Sequence, residues 1–182
     1  MNFIKTAIEG LLIIEPQIWK DSRGHFLETY NEDTFKKNGI EEHFLQDNQS
    51  LSSKGTVRGL HAQAGPNAQG KLVRVIKGCV IDVAVDIRKN SSTYGQVFQI
   101  ELSERNAKML WIPVGFLHGF LSLEDNTIFS YKVTGKYDKT HEFGVRYNDP
   151  ALAIHWSLPE NELIISEKDR ALPLLKDIGQ PF

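Results

Sequence analysis

Between Lys71 and Arg88 the sequence reads KLVRVIKGCVIDVAVDIR, a run dominated by β-branched residues and interrupted once, at Lys77-Gly78. Valine and isoleucine lose side-chain freedom in a helix and pack well on a pleated surface, so such a run favours extended backbone. The Lys-Gly pair stands where a hairpin turn would reverse the chain. After it, Ile81, Val83, Val85 and Ile87 alternate with Asp82, Ala84, Asp86 and Arg88. Successive side chains of a strand point to opposite faces, so this alternation predicts a half-buried strand.

Similar short strands are expected at Gln96–Leu102, Met109–Ile112, Gly119–Leu123 and Thr127–Thr134, separated by turn-rich stretches such as SSTYG and LEDN. That spacing predicts a sandwich or a barrel. Helical signals are few. Asn31 is placed to cap a helix over Glu32–Asn38 that stops at Gly39, and Ser166 to cap a short one before Pro173. No repeat, low-complexity tract or linker divides the chain. Its 182 residues fit a single domain with a substantial core, and two domains would be crowded. The core barrel is expected at about 45–150, with the proline-bearing tail from about Ala151 packing back across it.

Lys and Arg number 21 against 23 Asp and Glu, so no global field draws the chain to nucleic acid or an anionic membrane. A local basic pocket stays open. The single cysteine, Cys79, excludes an internal disulfide and leaves too few thiolates for a structural zinc site, which fits a reducing compartment. The apolar patch Leu11–Ile14 is flanked by Glu9 and Glu15, unlike a secretory h-region, and no run approaches the ~20 apolar residues of a membrane span. A cytoplasmic location is expected.

Two segments carry candidate chemistry. In Arg58-Gly59-Leu60-His61-Ala62-Gln63, an ideal strand puts His61 and Gln63 on the face of Gly59, leaving space beside the imidazole. That space suits a ligand, and a hydrogen-bonded structural histidine fits the segment equally well. Arg58 lies an odd number of residues from His61, so both serve one site only if Arg58 acts at its mouth or a bulge turns it. The second segment, WIPVGFLHGF, has a Pro-x-Gly-x-x-His pattern that marks a tight turn entering a strand, with His118 directly after the turn. Together the segments are similar to the two motifs of cupin barrels, in which histidines and a carboxylate usually bind a metal. Here His-x-His is replaced by His61-Ala62-Gln63 and no glutamate follows at the expected distance. Two histidines without a third ligand make a poor metal site, so no metal is expected.

The resemblance becomes specific when RGLHAQ, AQGKLVRVIKG, VIDVAVDIRKNSSTYGQ, LWIPVGFLHGFLSL, YKVTGKY and SEKD are taken in order. From KTAIEGLLIIEP to KDRALPLL, almost the whole chain resembles the dTDP-4-dehydrorhamnose 3,5-epimerase family. The resemblance implies a mainly β, cupin-type jelly-roll barrel with a few short peripheral helices, a homodimer, and neither metal nor cofactor. The implied substrate is a dTDP-4-keto-6-deoxyhexose. The implied reaction inverts C3 and C5 of dTDP-4-dehydro-6-deoxy-D-glucose to give dTDP-4-dehydro-L-rhamnose. In the family pattern the base falls on His61, the acid on Tyr131 and the aspartate orienting the base on Asp169. Asp82 supports the second histidine, His118, near the substrate, where a carboxylate would favour the charged imidazole. Nucleotide contacts fall on Arg23, Glu28, Gln46, Asn48, Arg58, Glu142 and Lys168. The chain departs from the pattern at His25, where an aromatic residue is common, and at Ala62, where a bulkier one is.

The chemistry of these residue types is consistent with such roles. A proton beside a ketone becomes removable when the enolate oxygen meets positive charge, a role for the compact ammonium of Lys71. Imidazole, with an ordinary pKa of about 6.5, can accept the proton, and a phenol on the far side of the ring can return one. Each residue also has a plainer reading. Tyr131 shares a face with Phe129 and Val133 as a core tyrosine would, and Asp169 has capping-box spacing from Ser166. Lys71 fits a solvated strand end, Asp82 a surface carboxylate beside Asp86, and Arg23 a solvated turn. Two other activities share these motifs: a ketosugar isomerase or epimerase acting at C3 or C5 alone, and a non-catalytic cupin that binds sugar nucleotides.

Overall fold

The computed structural model describes residues 1–182. Its strands are Asn2–Lys5 (β1), Leu12–Glu15 (β2), Ile18–Asp21 (β3), Gly24–Leu27 (β4), Gln46–Ser52 (β5), Thr56–Gln63 (β6) and Lys71–Lys77 (β7). They continue as Cys79–Asp86 (β8), Val97–Ser103 (β9), Met109–Ile112 (β10), Phe116–Ser122 (β11), Thr127–Val133 (β12), Glu142–Gly144 (β13) and Ile164–Ile165 (β14). Two short helices, Glu32–Lys37 (α1) and Glu167–Arg170 (α2), lie outside the sheets. Both start where the capping residues predict: Asn31 Oδ1 accepts from the Thr34 N–H and Ser166 Oγ from the Asp169 N–H.

One sheet runs β1-β2-β10-β7-β12-β5, and a second runs β13-β6-β11-β8-β9 with β14 added in parallel to β6. No hydrogen-bonded strand pair joins them, so the jelly roll is two facing sheets rather than a sealed barrel. The register of β12 on β5 sets Tyr131 opposite Asn48 and Phe129 opposite Ser50. Directly opposed residues share a sheet face, so Asn48, Ser50 and Ser52 look into the interior with Tyr131 and Phe129.

The second sheet is covered on both faces, which corrects the half-buried strand. Seven of the eight residues of β8 are buried. Val83, Val85 and Ile87 pack with Leu117 and Leu121 against Val145, Tyr147, Leu152 and Trp156 from the chain after β13. On the opposite face Val80 and Ala84 meet Phe116, Phe120 and Phe129 between the sheets. The alternation therefore separates two buried environments, one aliphatic and one able to hold polar groups with partners. Asp82 and Asp86 are both fully buried, so neither is a surface carboxylate. Asp86 accepts from Arg88 at 2.7 Å and from Ser91 and Thr93 at 2.6 Å.

Two further expectations change. The strand expected at Gly119–Leu123 begins at Phe116, immediately after Gly115 takes the turn at φ +94°, so His118 lies inside β11 rather than at its entrance. Gly59 does not open space beside His61. Its φ is +123°, and a Cβ there would fall 2.6 Å from Gly119 Cα and 2.8 Å from the His118 carbonyl oxygen. The glycine lets the backbones of β6 and β11 close on each other. Gly59→Ala is expected to lower stability by about 2–3 kcal/mol, combining overpacking with a disfavoured backbone angle, measurable as a lower urea midpoint at unchanged slope.

Candidate active site

A cavity of about 670 Å³ opens between the sheets, walled by Arg58, His61, Lys71, His118, Phe120, Phe129, Tyr131 and Asp169 among others. A second, of about 260 Å³, is walled by Gln46, Asn48, Gln63, Tyr137 and Glu142, again with His61, Lys71 and Tyr131. Those last three residues are the ones common to both linings. His61 comes from the second sheet, Lys71 and Tyr131 from the first, so the space lies between an imidazole on one side and an ammonium and a phenol on the other.

His61 Nε2 is 2.7 Å from Asp169 Oδ1. Asp169 serves two ends at once. Its backbone N–H completes the Ser166 cap, which leaves the carboxylate free for His61 and, at 3.4 Å, for the Gly59 N–H. Burial alone would raise its pKa, but the hydrogen bond and charge of His61, with the Gly59 and Ser166 contacts, outweigh that and hold it below the ordinary carboxylate value. The room beside the imidazole comes from Gly144, which pairs with His61 across β13, where a Cβ would stand 3.1 Å from His61 Cδ2.

Arg58 reaches the same cavity through a bulge. Between the pairs His118–His61 and Phe120–Arg58, β6 spends one residue more than β11, which turns Arg58 back to the face of His61. Its guanidinium donates to Ser52 Oγ at 3.1 Å and to the Leu51 carbonyl at 3.2 Å.

His118 forms the floor. Its Nε2 lies 2.9 Å from Asp82 Oδ2, its ring stacks on Phe129 at 6.0 Å, and Phe129 stacks on Phe120 at 4.2 Å. The expectation of a charged imidazole is corrected here: burial lowers the His118 pKa and outweighs the attraction of Asp82, so the neutral ring is favoured. Partly buried Lys71 donates to the His61 carbonyl at 3.3 Å, and desolvation lowers its ammonium to about 8 against the pull of Asp82 and Glu142. Tyr131 is shifted upward, mainly by burial, with Arg58 opposing. Its phenol keeps its proton through neutral pH.

The remaining expected contacts divide. Glu142 accepts from Lys168 Nζ at 2.9 Å and from the Tyr137 hydroxyl at 3.2 Å. Gln46 donates to Asn48 Oδ1 at 2.8 Å beside the smaller cavity. Arg23 and Glu28 line neither cavity. Arg23 sits on the β3–β4 hairpin, pairs with Asp21 at 2.6 Å and is 88% exposed at its side chain. Glu28 accepts from Asn31 Nδ2. His25 lies on the same hairpin, while Ala62 lines the smaller cavity.

The sequence reading missed Ser50 and Ser52, which line the larger cavity, although the period of two that places Gln46 and Asn48 on one face continues to both. It also missed Phe120 and Phe129, which read as ordinary core, and Gly144, whose contact with His61 depends on the pairing of distant strands. No three His, Cys, Asp or Glu side chains are grouped as metal ligands. No helix is long and apolar enough to cross a membrane.

Residues 5–177 match the family described as dTDP-4-dehydrorhamnose 3,5-epimerase. A protein of that name from Methanothermobacter thermautotrophicus is 51% identical over 93% of this chain and 91% of its own length. The crystal structure of the epimerase from Elizabethkingia anophelis superposes with a TM-score of 0.94 at 46% identity, covering 98% of both chains. The dTDP-6-deoxy-D-glucose-3,5-epimerase from Legionella pneumophila, solved in complex with dTDP-4-keto-L-rhamnose, gives 0.93 at 47% identity over 97% of this chain and 94% of that one. A match running nearly end to end in sequence and in backbone places this chain in the dTDP-4-dehydrorhamnose 3,5-epimerase family.

Proposed function

We propose that the chain epimerises C3 and C5 of dTDP-4-dehydro-6-deoxy-D-glucose, giving dTDP-4-dehydro-L-rhamnose, by proton transfer through an enolate. The observation that carries this reading is the space held between the Asp169-paired imidazole of His61 and the protonated phenol of Tyr131. With Nε2–H given to Asp169, Nδ1 of His61 has the lone pair that takes the proton beside the ketone. Lys71 offers its ammonium to the enolate oxygen, and Tyr131 returns a proton on the other face of the ring. Arg58, His118, Glu142 and Lys168 bind the sugar nucleotide with Gln46 and Asn48, and Asp82 orients His118. In deuterium oxide with this substrate, NMR should show exchange at both C3 and C5. Exchange at one carbon alone would mean a single-centre epimerase or isomerase, and tight binding without exchange a sugar-nucleotide-binding protein.

The Lys71 ammonium gives a pH test with a defined sign. Below about 8 it is charged and can stabilise the oxyanion; above that value it is neutral and cannot. Wild-type kcat/KM should therefore fall as pH rises through about 8. Lys71→Arg, which stays charged, should lose that alkaline limb, and Lys71→Met should cost about 10²–10³ in kcat at every pH. A wild-type profile flat to pH 10 would remove Lys71 from this role.

The same reading places residues 1–182 in one cytoplasmic domain that works as a homodimer. The β3–β4 hairpin has no third strand, and it exposes Trp19 and Phe26, whose rings lie 5.8 Å apart, around the charged Arg23. An isolated two-stranded hairpin gains stability by packing on another surface. A second copy supplies that surface and brings Arg23 and Glu28 to a nucleotide; sedimentation should give twice the monomer mass.

A further inference from the structure

We infer that Gln63, which touches neither His61 nor Tyr131 by hydrogen bond, is a positioning residue that clamps Tyr137 over the smaller cavity. In sequence it takes the second position of the cupin His-x-His pattern, and its amide is fully engaged with backbone. Nε2 donates to the Asn67 carbonyl and, at 2.8 Å, to the Lys136 carbonyl, and Oε1 accepts from the Asp138 N–H at 2.8 Å. Gln63 is only 4% exposed, so these bonds are shielded from competing water.

Two of the three bonds fall on the residues immediately before and after Tyr137. They fix the backbone on both sides of a side chain that is itself 58% exposed and is otherwise tied down through one hydroxyl contact, 3.2 Å to Glu142. Glu142 is the strand partner of Gln63 across β13 and β6, and it also holds Lys168 at 2.9 Å. The third bond secures the chain around Asn67, and Gln69 adds a bond to the Gly135 carbonyl at 2.9 Å, so two loops are joined to the strand that carries His61. The amide, its polar atoms engaged with backbone, therefore sets where Tyr137 stands relative to the imidazole and to Glu142.

The kinetic part of this inference rests on the epimerase reading. Gln63→Met keeps the length and removes all three bonds. It should raise KM for the dTDP-sugar by about tenfold while kcat changes by less than about threefold, because the wall of the cavity is loosened and the His61–Asp169 pair is not. If the clamp acts through Tyr137, adding Gln63→Met to Tyr137→Ala should raise KM little further. Gln63→Asn, polar but one methylene short, should give the same direction of change and replaces Gln63→Met if that variant does not fold. Hydrogen exchange supplies a readout independent of substrate: the Asp138 amide, which donates to Gln63 Oε1, should lose protection in either variant while those of β11 keep theirs. A folded variant with unchanged KM, additive effects with Tyr137→Ala, or unchanged protection of the Asp138 amide would each overturn the clamp. A wild-type chain that turns over no substrate would defeat the proposed reaction alone, and the exchange measurement would still decide the clamp.

Discussion

His61→Ala is expected to bind dTDP within a few-fold of wild type and to lose deuterium exchange at both C3 and C5 by about 10²–10⁴, the range that a positioned general base contributes. The substitution removes the one imidazole that both faces the open cavities and has a carboxylate partner at 2.7 Å. His118 cannot take over, because its ring is 8% exposed and engaged with Asp82. Folding should survive: Asp169 retains the Gly59 and Ser166 contacts, and the lost side chain is partly exposed rather than core. Asp169→Asn should cost less than His61→Ala, since it weakens the orientation and basicity of the ring without removing it. Calorimetric binding of dTDP alongside NMR exchange separates the two outcomes. Exchange persisting at wild-type rate in a folded His61→Ala protein would eliminate it as the base.

Much of the architecture could be read from the chain because it is local. The β7–β8 hairpin follows from a β-branched run broken by Lys77-Gly78, and both helix starts follow from a side-chain oxygen placed to cap a turn. What was not legible depends on partners far along the chain. Periodicity separates the faces of β8 but not what covers them, so the burial of Asp82 and Asp86 appears only once the opposing sheet is in place. The side on which Arg58 emerges could not be fixed from spacing, because a bulge in the pairing of β6 with β11 reverses the parity. Gly59 was assigned to the imidazole when its contact is Gly119, while the glycine that does lie beside His61, Gly144, belongs to a strand more than eighty residues later. Charge state failed for a related reason: Asp82 argues for a cationic His118 until the desolvation of the whole site is counted.

Tyr131→Phe is expected to separate two events that are coupled in the wild type. His61 and Tyr131 belong to different sheets and meet across the cavity, so a proton taken on one face of a sugar ring is to be replaced from the other. Without the phenol, His61 still removes the proton and Lys71 still meets the enolate oxygen, but the acid assigned to the far face of the carbon is gone and the imidazolium returns the proton to the original face. Deuterium should therefore enter the substrate with its configuration retained, while formation of the inverted product falls by about 10²–10⁴. The upward shift of the Tyr131 pKa, caused chiefly by burial, makes the wild-type acid available throughout the range in which Lys71 is charged. The ratio of deuterated substrate to inverted product, followed by NMR from a single mixture, reads the effect without depending on enzyme concentration. Inversion at wild-type rate would mean that another donor, or water, serves the far face. Exchange and inversion falling in equal proportion would mean that the phenol acts in removing the proton, which would undo the division of labour drawn from the two opposed sheets.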